Sequence, residues 1–561
     1  MFSSAIPSAP IKNYSKEEKA EKEFGKLSSP KDLCVAKYGP DVALDTFDDE
    51  PPYYILIITY LNYLILIIIG HVRDFFGKKF QRKYFKELVE NNGFAPWYSS
   101  FESFYTRRLK MRLDDCFARP ICGAPGRFIR CFHRESLDYN YTYKYNGTVD
   151  ECLNLSSYNY LGFGQSSGIC TDNSTKALLQ YGSTAGGPRT ICGTTDLHLK
   201  CEKVVAEFVG KEDSVIFSMG FSTNANLFTS LVNKKCLIIS DELNHASIRF
   251  GVRLSGTVVK IFPHNDMKAL EKLLRKEISN GQPRSHRPWS KIIVAVEGLY
   301  SMEGNLCNLP KLVELRKKYK FYLFVDEAHS IGAMGPNGKG VCDYFNVDPS
   351  NVDLLMGTFT KSFGATGGYV AANKDIIARL RIDISTNTHG ESVAPPVLQQ
   401  IITSLKIIDG QLNGNEGKER LQRIAFNSRY LRLGLKRLGF IIYGADDSPV
   451  IPLLLYIPPN MPAFSRMMYA LKVAVVVVGY PATPLTSSRV RFCVSAALTK
   501  DDLDYVLKCT DEVGSRLFLK FSTGIGGGEK NKGDYLKGIK PRWNLKDVLA
   551  CTREDCKKAM Y

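Results

Sequence analysis

From about residue 151 the chain alternates short β-branched apolar runs with longer amphipathic stretches, and this alternation predicts most of its architecture. The predicted strands are Ser214–Phe217, Cys236–Ser240, Val258–Phe262, Ile292–Glu297, Tyr322–Asp326, Val352–Thr358 and Gly368–Ala372. Helical spacing falls between them, at Asn224–Val232, His245–Leu254, Met267–Ile278 and Leu309–Tyr319. Such an order calls for a largely parallel sheet with helices on both faces. Beyond about residue 400 the pattern becomes one long helix, Arg420–Leu438, then Val450–Tyr456, Val473–Val478 and Val490–Val494. A last helix is capped by Thr499 with Asp502 at its third position. The expected fold class is α/β, a large mixed and mainly parallel sheet domain followed by a smaller α+β domain.

The first part of the chain reads differently. Residues 1–52 are polar, mixed in charge and closed by Pro51-Pro52. Then Tyr53–Gly70 runs without a charge, close to the roughly 20 residues a spanning helix needs. Arg73, Lys78, Lys79, Arg82 and Lys83 follow it, which by the positive-inside rule puts its C-terminal side in the cytosol. Residues 53–72 are therefore expected to be a transmembrane or membrane-anchoring helix, and full spanning stays open against a buried helix or one lying in the interface. Residues 73–150, rich in aromatics and arginines, read as an amphipathic linker that either lies against the membrane or packs on the catalytic body. The large domain is expected over 151–400 and the small one over 401–518, with a flexible linker and charged tail over 519–561.

The 561 residues carry a formal net charge of +17. The basic residues are dispersed and form no nucleic-acid module, so a membrane surface or an anionic substrate such as a CoA thioester accounts for the excess. The 15 cysteines contain no Cys-x-x-Cys pair and no zinc-like spacing with histidine, so they read as reduced thiols and no metal site is expected.

Five stretches carry candidate chemistry, each placed at a predicted strand end or turn. In Gly357-Thr-Phe-Thr-Lys-Ser-Phe-Gly364, Lys361 sits where a buried strand opens into a glycine-rich loop, suited to a Schiff base or an anion. An ordinary surface lysine in a turn reads equally well there. Asp326 ends a hydrophobic strand, where a buried carboxylate needs a cation such as a protonated pyridine nitrogen, or merely caps a helix. Asp241–His245 places an imidazole after another strand, for stacking or for packing. Ser218–Asn224, with Gly220 and Phe221 at a helix start, offers backbone N–H groups to a phosphate. Arg489 and Arg491 form a pair able to clamp a carboxylate, or a plain edge strand.

Taken together, in order and type, these stretches resemble the α-oxoamine synthases, pyridoxal 5'-phosphate enzymes of the fold-type I aminotransferase superfamily. The matching text is Leu155-Ser-Ser-Tyr-Asn-Tyr-Leu-Gly162, Gly193-Thr-Thr-Asp-Leu-His-Leu199 with Glu202, Asp241–His245, Glu297–Gly304, Asp326–His329 with Gly335–Gly340, Gly357–Gly368 and Arg489–Arg491, covering about residues 150–515. The resemblance implies that Lys361 holds the cofactor and acts as base, Asp326 keeps its ring nitrogen protonated, and His245 stacks on the ring. It further implies that His329 hydrogen-bonds the cofactor phenolic oxygen or the substrate, that Thr358 with Gly220-Phe221 holds the phosphate, and that Arg491, rather than Arg489, and Asn159 contact substrate. The hydrophobic anchor and the wording around Lys361 are similar to the membrane-bound, serine-using branch. That branch implies condensation of L-serine with palmitoyl-CoA, losing CO2 and CoA, to 3-ketodihydrosphingosine, the first step of sphingolipid synthesis. The implied setting is the endoplasmic reticulum membrane, catalytic part cytosolic. Implied partners are a homologous lysine-lacking subunit (long-chain-base subunit 1), a small activating subunit and Orm-type regulators. Rival readings are a synthase using glycine or alanine, an aminotransferase, or a non-catalytic membrane scaffold.

Overall fold

A sheet of seven strands organises the molecule, in the order Asp213–Phe217, Gly368–Ala372, Leu354–Thr358, Tyr322–Asp326, Lys291–Glu297, Cys236–Asp241 and Val258–Phe262. These are the seven strands the sequence pattern predicts, with ends shifted by no more than two residues. The computed structural model describes residues 14–39, 50–80, 85–90, 92–101, 103–138, 140–522 and 543–550. Five of the strands are mutually parallel along one continuous run, whereas Gly368–Ala372 is antiparallel to both of its neighbours.

Alternate residues of the central strands go to opposite sides. Leu237, Ile239, Val294, Val296, Leu323 and Val325 enter one core, while Cys236, Ile238, Ile293, Ala295 and Phe324 enter the other. Such burial on both faces explains why these strands read as unbroken apolar runs rather than alternating ones. The parallel strands deliver Asp241, Glu297, Asp326 and Thr358 at their C-terminal ends, the edge where open α/β sheets gather ligands.

The C-terminal part has its own core around the helix Glu416–Arg437 and a three-stranded antiparallel sheet of Val450–Leu454, Arg489–Cys493 and Val476–Val478. Thr499 caps its last helix, Lys500–Arg516, in a reciprocal box with Asp502. The predicted strand Val473–Val478 divides. Val473–Ala474 pairs instead with Lys144–Asn154, which lies antiparallel to Phe128–Glu135.

Of the two alternatives for residues 73–150, lying against the membrane or packing on the catalytic body, the hairpin that begins at Phe128 takes the second, being built into the C-terminal body. Its partner lies far away in sequence, so no local signal announces it. Residues 14–39 are also more than a polar leader. The helix Lys16–Glu23 opens with a capping box of Ser15 and Glu18, and Phe24 lies under the guanidinium groups of Arg420 and Arg423, at 4.2 and 4.5 Å. Past the domain, the tail keeps a short helix, Leu545–Ala550, that buries Val548. The glycine-rich part of the predicted linker, Gly524–Gly533, lies outside the described residues. The predicted membrane helix is present as Tyr53–Phe80, 28 residues and longer than its uncharged stretch, and is long and apolar enough to cross a membrane.

Candidate active site

Lys361 lies in the loop between the strands Leu354–Thr358 and Gly368–Ala372, half-buried at the sheet edge. The loop is pinned on both sides of it. Ser362 Oγ donates to the Ile331 carbonyl at 2.8 Å, and Thr358 Oγ1 donates to the Gly367 carbonyl at 2.8 Å. Gly364 has φ of +61°, and a Cβ there would come within 2.6 Å of the Gly164 backbone nitrogen, so only glycine lets the two loops touch. Burial pushes the Lys361 ammonium down to about 8, against the pull of Asp326 and Glu297 and with help from Arg491. A lysine so placed is an available nucleophile near neutral pH.

Asp326 ends the neighbouring strand and is 3% exposed. Its carboxylate accepts from Asn224 Nδ2 at 2.7 Å and from the Ala328 backbone N–H at 2.8 Å. Asn224 belongs to the helix Gly220–Leu231, whose cap residue Met219 makes no side-chain cap to the backbone N–H groups of its first turn. That helix start presses on the sheet edge, since a Cβ on Gly220 would stand 2.7 Å from Thr358 Oγ1. The result is a cradle of backbone N–H groups beside Thr358 and Thr360, the chemistry that holds a phosphate.

His245 caps the helix Ala246–Leu254 and exposes its ring, which lies 6.3 Å from the Phe221 ring. Its Nδ1 is 2.7 Å from Ser247 Oγ, and its backbone N–H donates to Glu297 Oε1. Desolvation holds the imidazole below the usual histidine range, with Lys361 and Arg491 pushing the same way against Asp326. Glu297 is the register partner of Asp326 on the adjacent strand. Burial and that second carboxylate push the Glu297 carboxyl well above the usual range.

His329, 6% exposed, pairs through Nδ1 with the Tyr160 hydroxyl at 2.7 Å. Burial, with the cations of Lys361 and Arg491, holds it well below its ordinary value, so the ring is neutral. Arg491 crosses from the small sheet. Its Nη1 donates to the Ser301 carbonyl at 3.3 Å, its Nη2 to the Tyr158 hydroxyl, and its buried Nε has no partner among the described residues. Tyr158 is the hub of this wall, its ring 5.8 Å from Lys361 Nζ, 4.8 Å from the Arg491 guanidinium and 5.5 Å from the His329 ring.

One pocket thus gathers an amine, a buried carboxylate, two neutral imidazoles and an arginine with an unused donor. Residues 150–509 match the aminotransferase class I and II family. Serine palmitoyltransferase 2 of Kluyveromyces lactis is 61% identical over 556 residues, 99% of this chain and 98% of the relative. The Saccharomyces cerevisiae protein of the same name is 60% identical over 96% of this chain and 95% of its own length. The chain belongs to the serine palmitoyltransferase 2 family. A solved serine palmitoyltransferase of S. paucimobilis, with bound PLP-myriocin aldimine, superimposes with a TM-score of 0.65 at 26% identity, covering 75% of this chain and 98% of that one. The pyridoxal-phosphate fold-type I architecture expected from sequence is the one observed.

In this member of the serine palmitoyltransferase 2 family the geometry keeps most of the expected site residues together and moves two of them. Lys361, Asp326, His245, His329, Gly220, Phe221 and Arg491 border the pocket. Asn159 does not. Its amide donates to the Pro125 carbonyl at 3.0 Å and accepts from the Gly164 N–H at 3.0 Å, which ties it into a loop, while Tyr158 beside it faces Lys361, Arg491 and His329. Thr358 stands at the cradle, but its hydroxyl fixes the turn by donating to Gly367. Arg489, two residues before Arg491, is held by the Ser487 and Met302 carbonyls, both at 2.9 Å, and by Glu303 at 3.3 Å. Sequence reasoning gave no role to Asn224 or Glu297, and it held Tyr158 only as the alternative to Asn159. All three stand inside motifs it had singled out, but which way each side chain points is a matter of register.

Proposed function

We propose that this pocket condenses L-serine with palmitoyl-CoA, releasing CO2 and CoA and leaving 3-ketodihydrosphingosine, with pyridoxal 5'-phosphate held through Lys361. The observation that carries the reading is the convergence of Lys361, Asp326 and His245 at one sheet edge, although they come from three separate strand ends. The cradle at Gly220 and the unpartnered Nε of Arg491 fit a ligand with a phosphate and a substrate with a carboxylate.

The chemistry that pyridoxal 5'-phosphate supplies when bound is that of an aldehyde on an electron-accepting ring. Asp326 would hold a proton on the ring nitrogen, braced by Asn224. His245 would cover one face of the ring. The N–H groups of Gly220 and Phe221 would bind the phosphate. His329, neutral and oriented by Tyr160, would donate to the phenolic oxygen or to substrate. Lys361 Nζ would take the Cα proton of serine, a role its lowered proton affinity suits. Arg491 with Tyr158 would grip the serine carboxylate until it leaves as CO2. Glu297 would fix the main chain of His245.

The same reading places the chain at the endoplasmic reticulum membrane, its catalytic body cytosolic. It also assigns a homologous lysine-lacking subunit as partner, joined by a small activating subunit and Orm-type regulators. Support for a partner comes from the apolar side chains exposed along 178–199, Leu179 at 83% and Ile191 at 77% among them. The test is CO2 release by the full chain, co-expressed with its partner, from serine and palmitoyl-CoA. Equal release from glycine or alanine would overturn the substrate assignment.

A further inference from the structure

Glu327 follows Asp326 at the end of the strand Tyr322–Asp326, and the two carboxylates turn in different directions. Asp326 reaches Asn224 beside the pocket, whereas Glu327 reaches Val341 behind it. Glu327 is 1% exposed and has no ion pair among the described residues. Its carboxylate accepts from the Val341 backbone N–H, 3.1 Å from both oxygens, and from the Ser330 hydroxyl. Two glycines shape its socket. A Cβ on Gly340, where φ is +83°, would stand 2.5 Å from Glu327 Oε2, and one on Gly298 would stand 3.0 Å from the same oxygen.

The ionisable groups that face this carboxyl are Asp326, Asp343 and Cys342 of the helix Val341–Tyr344, Cys307, and Tyr369 of the strand Gly368–Ala372. None of them carries positive charge. Burial, with Asp326 and Asp343, raises the Glu327 carboxyl to about 7, against the hydrogen bonds from Ser330 and Val341. An ion taken out of water without a counter-charge destabilises the fold, and a neutral side chain of the same size would fill the socket at less cost. A carboxylate kept there answers a demand other than stability.

What it holds is the turn that follows. The Glu327 N–H donates to the Met356 carbonyl at 2.7 Å, and its carbonyl accepts from the N–H groups of Ser330 and Ile331 at 3.0 and 2.9 Å. The closed turn presents His329 to the Tyr160 hydroxyl at 2.7 Å. Its Ile331 carbonyl accepts from Ser362 Oγ at 2.8 Å, one residue after Lys361. Gly332, where φ is +77°, packs so closely on the Ser362 side chain that a Cβ there would overlap it. One carboxylate thus stands behind both the imidazole and the amine of the site.

We propose that Glu327 is a positioning residue for the condensation, its ionised carboxylate locking the 327–332 turn through Ser330 and Val341 so that His329 and Lys361 are held in place. This rests on the function proposed above and adds a residue to it. Protonation loosens the lock, because the acid gains an O–H that needs an acceptor, and the Ser330 hydroxyl that now donates has to turn round to accept it.

The test compares wild type with Glu327→Gln, which keeps the size and removes the charge, in the full chain co-expressed with its partner. Wild-type kcat should fall about tenfold as pH drops through about 7, whereas Glu327→Gln should lack that acid limb and run about tenfold below wild type near pH 8. Ser330→Ala, which removes a donor to the ionised form, should move the limb toward higher pH. Melting of the cofactor-free protein separates this role from plain structural support. A carboxyl raised in the folded state gives stability that is present below about 4.5 and lost as pH rises through about 7. Glu327→Gln should therefore melt roughly 3 °C or more above wild type near pH 8 and show no such gain near pH 5. A Glu327→Gln protein that melts below wild type near pH 8 or keeps the wild-type acid limb, or a Ser330→Ala protein whose limb stays in place, would overturn the proposal. Absence of a pyridoxyl label on wild-type Lys361 after borohydride reduction would instead sink the proposed function itself.

Discussion

The two walls of the pocket differ in how completely they are satisfied. On the sheet wall Asp326 is held by Asn224 and Ala328, and His245 by Ser247 and Glu297. On the facing wall Arg491 leans on Tyr158 and keeps a buried nitrogen with no partner among the described residues. A wall whose polar groups are already paired can orient a cofactor without reorganising, whereas a buried, unpaired guanidinium donor favours an incoming anion. On the proposed function, the difference assigns chemistry to the sheet wall and substrate to the facing one.

Breaking the sheet wall should have the largest effects. Lys361→Ala is expected to lower turnover by roughly 10²–10⁴-fold or more, because both the cofactor's tether and the base are lost, and to remove the cofactor's absorbance from the purified protein. Asp326→Asn should retain part of the cofactor yet slow exchange of the serine Cα proton by about 10²-fold or more, measured by deuterium uptake. Exchange at the wild-type rate would show that this carboxylate does not act on the ring.

The facing wall should answer in KM. Arg491→Lys is expected to raise the KM for serine about 10–100-fold with a smaller change in kcat, the loss of one charged, bidentate-capable contact. Arg489→Ala should instead cost about 3 kcal/mol of stability in denaturant unfolding, because Glu303 is left in a mostly buried site without its cation. Equal KM effects from both arginines would erase the distinction between them.

Smaller again is the contrast of neighbours in one motif. Tyr158→Phe should raise the KM for serine severalfold, by roughly 0.5–1.5 kcal/mol, while Asn159→Ala should leave KM unchanged and lower the melting temperature. The subtlest effect concerns pH. Capture of pyridoxal 5'-phosphate by the cofactor-free chain should quicken as pH rises through about 8, since only the neutral Lys361 amine reacts. Asp326→Asn should move that midpoint down, because the anion that favours the ammonium is gone.

The sheet and its chemistry were legible because both are local. Each central strand is an apolar run that ends in Asp241, Glu297, Asp326 or Thr358, and a strand's end is where its side chains leave the core. What escaped was anything set by distant pairing or by the direction of one side chain. Leu155–Gly162 announces a site, but only the turn that locks Asn159 onto Pro125 and Gly164 delivers Tyr158 to the pocket. Arg489 and Arg491 share one strand, and only the burial of Glu303 commits the first of them. The helix that Ser15 and Glu18 cap in the polar leader was not read from sequence, and the docking of that segment on Arg420, Arg423 and Ala497 has no local trace.

The most direct test of the account is borohydride reduction of the cofactor-loaded chain followed by peptide mapping. The account predicts a pyridoxyl mass on the peptide containing Lys361 and on no other. A label on a different lysine, or none on this chain while its partner carries one, would contradict it.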